Sequence, residues 1–155
     1  MNQQALAHGV FTIERAYPAK PARVFAAWAD PEVKARWFIG PENWKLMRRE
    51  LDFRVGGEEL LHGRFDVNET LFTARYHAIE PGVRIVYIYD MHLGPKHASH
   101  HSVSLATVDF LAADSGTKLV FSESVVFLDG TKAAEGTASR ERGTAAHLDR
   151  ITQYL

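Results

Sequence analysis

The sequence predicts an α+β domain: a curved antiparallel sheet of about six to seven strands wrapped around one long C-terminal helix, with two short helices after the first strand. Three observations carry this. Between residues 46 and 128 nearly every stretch reads as a strand or a turn. Residues 139–155 place Thr144, Leu148, Ile151 and Leu155 at helical spacing on one face, with Arg140, Asp149, Arg150 and Gln153 assigned to the other. The helical signals near the N-terminus are short. A lone amphipathic helix closing a strand-rich chain needs an apolar surface, and the sheet is the large one available.

The elements follow in order. Residues 10–17 carry β-branched and aromatic side chains and read as the first strand, ended by Pro18. Pro21 suits a first helical position, and Val24, Phe25 and Trp28 form an apolar stripe behind it. Asp30-Pro31-Glu32 reads as the cap and first turn of a second helix, with Val33 and Trp37 on one face. Residues 39–45 form a loop. Residues 46–55 are extended until Gly56-Gly57, and 58–65 return. A turn at 66–69 leads to a strand at 71–79, closed by Glu80-Pro81-Gly82. Residues 83–92 are the most strand-like run. Residues 93–99 form a loop, and strands at 102–111 and 118–128 complete the meander. Ser139 is the expected cap of the last helix, with Thr137 as a rival start.

Composition narrows the function. The chain has 155 residues, 46% of them hydrophobic, as in an ordinary globular domain. Its formal net charge of -1 makes neither nucleic acid nor an acidic membrane an expected partner. The absence of cysteine excludes disulfides and thiol catalysis. Residues 1–9 read as a tail, and Met1 to Ala5 lack the charged and apolar regions of a secretory signal. No apolar run reaches transmembrane length. The expectation is a cytoplasmic protein with a single domain over residues 10–155.

Several stretches then carry a resemblance. They are Pro21-Ala22-Arg23-Val24-Phe25-Ala26-Ala27-Trp28 with Asp30-Pro31, Ala35-Arg36-Trp37-Phe38, and Asp52-Phe53-Arg54-Val55-Gly56-Gly57. Further on come Arg84-Ile85-Val86-Tyr87, Gly116-Thr117-Lys118-Leu119 and Leu148-Asp149-Arg150-Ile151. Together they resemble the SRPBCC, or START-like, superfamily, and within it the family named for the activator of heat-shock protein 90 ATPase. The resemblance implies a helix-grip fold. It is specific for fold and says little of activity, because the matching motifs are packing and turn motifs. Where members of this size often carry Trp after the glycine of the last helix, this chain has Thr144.

Alternation assigns the strand faces. Ser122 and Ser124 mark the wet face of the last strand, so Leu119, Phe121, Glu123, Val125 and Phe127 face the helix. In the same way Ile85, Tyr87, Tyr89 and Met91 point inward, as do Ala106, Val108 and Phe110. These side chains form either plain core or the wall of an apolar pocket. The candidate ligand-binding set is Tyr87, Tyr89, Met91, Phe110, Phe121 and Glu123. Glu123 is the anomaly, because an ionised carboxylate on an apolar face costs several kcal/mol, roughly, unless paired or neutralised. Two readings stay open. Glu123 forms a structural pair with Arg140, Arg142 or a tyrosine hydroxyl and titrates low. Alternatively it stands without a cation at an open cavity and titrates high, as a catalytic or ligand-anchoring group.

His92, His97, His100 and His101 crowd one loop. Their spacing matches no ordered metal signature, so a solvated, mobile, pH-sensitive loop without stoichiometric metal is expected. The sequence has no GxSxG, P-loop or GxGxxG, so no cofactor is expected. The function expected is binding of an apolar or amphipathic small molecule, and the sequence is compatible with a homodimer. The alternatives are a cyclase-, dehydratase- or hydrolase-type enzyme with Glu123 as acid or base, and, through the family name, a chaperone-associated protein.

Overall fold

The computed structural model describes residues 6–155. Seven strands form one antiparallel sheet: β1 (Ala7–Tyr17), β2 (Lys45–Leu51), β3 (Glu58–Phe65), β4 (Asn68–Glu80), β5 (Arg84–Gly94), β6 (Ser99–Ala113) and β7 (Gly116–Phe127). Their spatial order is β1-β7-β6-β5-β4-β3-β2. Hairpins link β2 through β7, while β1 crosses over to pair with the last strand, from Ala7 opposite Phe127 to Tyr17 opposite Thr117. Residues 7–9 thus belong to the sheet and not to a tail. The N-terminal five residues, on which the reading of the leader rests, lie outside the described residues. Among the described residues no helix is long and apolar enough to cross a membrane.

The two short helices, α1 (Pro21–Ala29) and α2 (Pro31–Trp37), both start on proline, whose missing N–H costs nothing there. Asp30 ends α1 and caps α2, its Oδ1 accepting from Glu32 N at 2.9 Å. Trp28 and Trp37 meet edge to face at 4.8 Å. Trp37 Nε1 donates to the Ala27 carbonyl at 2.9 Å, which satisfies a donor that is otherwise buried.

The assigned faces hold for β5, β6 and β7: Ile85, Tyr87, Tyr89, Ala106, Val108, Phe110 and the five inward residues of β7 are all buried. The last helix, α3 (Ala133–Ile151), starts seven residues earlier than a cap at Ser139 predicts. Gly136 hides this start in the sequence, because glycine weakens a helix interior. In the fold a Cβ at Gly136 would lie 2.7 Å from Phe127 Cζ, so glycine permits the close approach of helix to strand.

Helix α3 lies toward the β1 side of the concave face. A Cβ at Gly9 would meet Thr137 Oγ1 at 1.8 Å. Tyr17 donates its hydroxyl proton to the Leu148 carbonyl at 2.7 Å, and Arg15 pairs with Asp149 at 2.7 Å. Leu148 and Ile151 are fully buried. Leu148→Ala is expected to cost about 2–5 kcal/mol in urea unfolding, from the lost burial and the space left behind. A loss below about half a kcal/mol, the level of a surface substitution, would contradict the packing described.

Candidate functional site

Because α3 leans toward β1, the β3–β5 half of the concave face is left less covered. A cavity of about 680 Å³ lies there, between the sheet, α2 and α3. That volume is in the range of small-molecule sites, about 300–1,000 Å³. The sheet contributes Leu61, Phe72, Tyr87, Tyr89, Met91 and Phe121, and Trp28, Trp37 and Phe38 wall the short-helix side. Trp44 fits over Gly63, where any Cβ would overlap its indole, and donates Nε1 to Thr70 Oγ1 at 3.1 Å. On α3 the cavity meets Gly136, Arg140, Gly143, Thr144 and His147, a helical spacing of three and four.

Glu123 sits at the polar end, its side chain fully buried. Its Oε2 accepts from the Tyr89 hydroxyl at 2.7 Å, the Ser104 hydroxyl at 2.8 Å and Arg140 Nη1 at 3.2 Å. Arg140 also donates from Nη1 to Tyr89 Oη at 2.8 Å and from Nη2 to Ser102 Oγ at 2.7 Å. The two sequence readings therefore combine. The carboxylate has a cationic partner, yet burial outweighs Arg140 and the two hydroxyls and pushes its pKa above the usual carboxylate range. Burial pulls the Arg140 pKa down, but Tyr89 and Glu123 outweigh it and the net shift is upward. The second oxygen, Glu123 Oε1, is buried and has no hydrogen-bond partner among the described residues. Trp28 Nε1, on another wall of the cavity, is likewise buried without one.

Tyr87, Tyr89, Met91, Phe121 and Glu123 line this cavity as the sequence suggests. Phe110 does not. It packs edge to face on Phe25 at 5.4 Å and Trp28 at 6.4 Å, inside the core. The outward assignment of Arg140 and Arg150 is also corrected. Arg140 is four residues before Thr144 and shares its face, and Arg150 donates to the Ile39 carbonyl at 3.2 Å.

Further groups escaped the sequence reading. Lys34, on α2, is buried and donates to Glu59 Oε1 at 2.6 Å and to Tyr76 Oη at 3.1 Å, while the Tyr76 hydroxyl donates to the same glutamate oxygen at 2.6 Å. Its ammonium lies 5.0 Å from the Phe38 ring centre and 5.4 Å from that of Trp28. Burial lowers the Lys34 pKa, with Glu59 opposing. His147 donates from Nε2 to the Ile39 carbonyl at 2.9 Å and packs on Phe38 at 5.1 Å. Burial lowers its pKa to about 4, which keeps it neutral near pH 7.

The histidine segment is mostly strand and not loop. Strand β5 runs to Gly94 and β6 begins at Ser99, with a 3-10 turn at Pro95–His97 between them. His92 and His100 stack at 4.4 Å. His100 contacts Asp90 at 2.7 Å, and His101 contacts Asp129 at 2.6 Å.

A sheet wrapped on a C-terminal helix, with a cavity between them, defines a helix-grip protein of the SRPBCC class. Residues 18–155 match the family described as "Activator of Hsp90 ATPase homolog 1-like protein", and the chain belongs to that family. An uncharacterised protein from Rhizobium leguminosarum is similar at 39% identity, over 97% of this chain and 95% of that one, with a TM-score of 0.86. A Rhizobium loti protein is similar at 35% identity, over 98% and 100%, with a TM-score of 0.85. An AHSA1-like protein from Aeromonas hydrophila shares the fold at 20% identity, over 94% and 90%, with a TM-score of 0.68. No curated protein matches the chain.

Proposed function

We propose that this protein binds an apolar or amphipathic small molecule in the cavity between sheet and helix, with the ligand's polar end against Glu123. The observation that supports this most is the unpartnered Glu123 Oε1 at the end of an aromatic-lined space. An unsatisfied buried carboxylate oxygen costs about 1–3 kcal/mol or more. A ligand hydroxyl or amine donating to it removes that cost, while the aromatic walls take up the apolar body. Arg140 holds the other oxygen, so the carboxylate is fixed before the ligand arrives.

Native mass spectrometry of freshly purified, tag-free protein tests this. The expected result is a small-molecule adduct released on activation. Thr144→Trp, which fills the space beside Gly143, is expected to fold and to lose the adduct. An adduct-free wild type that also binds no member of a panel of hydroxylated aromatic amphiphiles would sink the reading. The raised Glu123 pKa favours one alternative, a general acid or base acting on the bound molecule. In that case the wild type releases a chemically altered ligand and Glu123→Gln releases it unaltered.

A further inference from the structure

The convex face of the sheet carries a second constellation, separate from the cavity. His62 on β3, Glu69 on β4 and His97 in the 3-10 turn each bring one ligand-type atom to within 4.8 Å of the others. His62 pairs across the hairpin with Leu71, and Arg64 pairs with Glu69, so His62 and Glu69 are diagonal neighbours on one face. His62 Nε2 contacts Glu69 Oε1 at 2.5 Å. The His97 ring stands perpendicular to that of His62, 86° and 5.0 Å away. All three side chains are half-buried, which removes competing water without closing access.

The backbone that delivers His97 is unusual. Lys96 and His97 have φ of 54° and 44°, consecutive left-handed conformations in residues that have a Cβ. Such conformations cost about 1–3 kcal/mol each and persist where the surroundings impose them. Here they fold the turn back over β4 and set an imidazole against the His62–Glu69 pair. A solvated loop tip needs no such geometry.

We propose that His62, Glu69 and His97 form a binding site for one divalent cation of the zinc class, with water completing the coordination. Two imidazoles and one carboxylate are a donor set suited to zinc and its neighbours and poorly suited to calcium or magnesium. The ion would replace the proton between His62 and Glu69. Metal–ligand bonds of about 2.0–2.2 Å require the two atoms to separate by less than about 1 Å, a rotamer adjustment at half-buried side chains. This set shares only His97 with the histidine-rich segment, so the missing ligand spacing in that segment does not bear on it. Binding would tie the 3-10 turn to the β3–β4 hairpin. The inward neighbours Leu61 and Thr70 line the cavity, so the metal would brace the cavity wall from behind.

The test is calorimetric titration of EDTA-treated, tag-free protein with zinc chloride alone, paired with cobalt(II) absorption. The expected result is one ion per chain and the intense visible bands of a four-coordinate cobalt site. His62→Ala and His97→Ala should each weaken zinc by at least about tenfold, by loss of one ligand bond, and should abolish the cobalt bands. The paired substitution His92→Ala with His100→Ala should leave both unchanged. Circular dichroism confirms that each variant is folded, and Glu69→Gln, which preserves shape, gives an independent loss. Absence of stoichiometric zinc binding in the wild type would overturn the proposal. So would equal binding by the variant lacking both His62 and His97, or loss on changing His92 and His100.

Discussion

Lys34→Met is expected to lower the unfolding free energy by about 3–5 kcal/mol, because it leaves the Glu59 carboxylate buried without a cation. The side chains of Lys34 and Glu59 are only 4% and 2% exposed. Water therefore cannot replace the lost partner, and the Tyr76 hydroxyl supplies one hydrogen bond where the native site has two. The destabilisation belongs to the orphaned charge and not to the pair as such. Adding Glu59→Leu to Lys34→Met should therefore recover most of the loss, as replacing both members of a buried pair by apolar groups often does. Urea unfolding followed by circular dichroism reads both. A double variant no more stable than Lys34→Met would show that the lysine acts through packing on Phe38 and Trp28 instead.

Arg140→Met has an expected loss of similar size, about 3–5 kcal/mol near neutral pH, and a distinct pH signature. Burial already raises the Glu123 pKa in the native protein, with Arg140 the largest opposing influence. Removing the guanidinium raises it further. A carboxyl whose folded pKa lies above its unfolded value binds more protons folded than unfolded. Stability then falls as pH rises from the unfolded pKa through the folded one, by at most about 1.4 kcal/mol per pH unit for one proton. Arg140→Met should therefore be closest to the wild type at acidic pH and fall progressively behind it toward neutrality and above. Thermal melts at several pH values between 5 and 8 check this. A constant gap between the two proteins across that range would mean that Glu123 does not take up the change.

The sheet was legible because its strands alternate cleanly and are punctuated by turn residues. Ser122 and Ser124 set the register of β7, and every inward residue assigned from them is buried. Of the side chains that break polarity rules, Glu123 was legible against its apolar strand neighbours and the others were not. Arg140 is among the partners the sequence offers for Glu123, and the structure forms that pair, but the helix-face assignment sets it outward although its spacing from Thr144 puts it on the inner face. Glu58-Glu59-Leu60-Leu61 fits either alternation, with one glutamate and one leucine on each face, so nothing in β3 marks Glu59 as buried. Lys34 sits between Val33 and Trp37 and is betrayed only by its spacing of three to Trp37 and four to Phe38. Phe110 was placed on the correct face, but a face does not say how far along a strand the core ends and a cavity begins. The contact of His62 and Glu69 with His97 depends on a left-handed turn at Lys96 and His97, for which neither residue type gives a signal.

The crossover of β1 has a consequence for how the molecule assembles. Strands β2 to β7 are joined by successive hairpins, and each can form from sequence neighbours as the chain is synthesised. Strand β1 cannot. Its partner opposite Phe11 is Glu123, far along the chain. Until β7 exists, the Phe11 and Ile13 side chains of β1 have no surface to cover them. The same strand carries Gly9, Arg15 and Tyr17, the seats of helix α3. Docking of the first strand is therefore a pairing of long chain separation, and helix α3 gains these contacts only once that strand is in place. Arg140, carried by that helix, reaches Glu123 only once the helix is docked, so a chain caught earlier has a meander but no finished cavity.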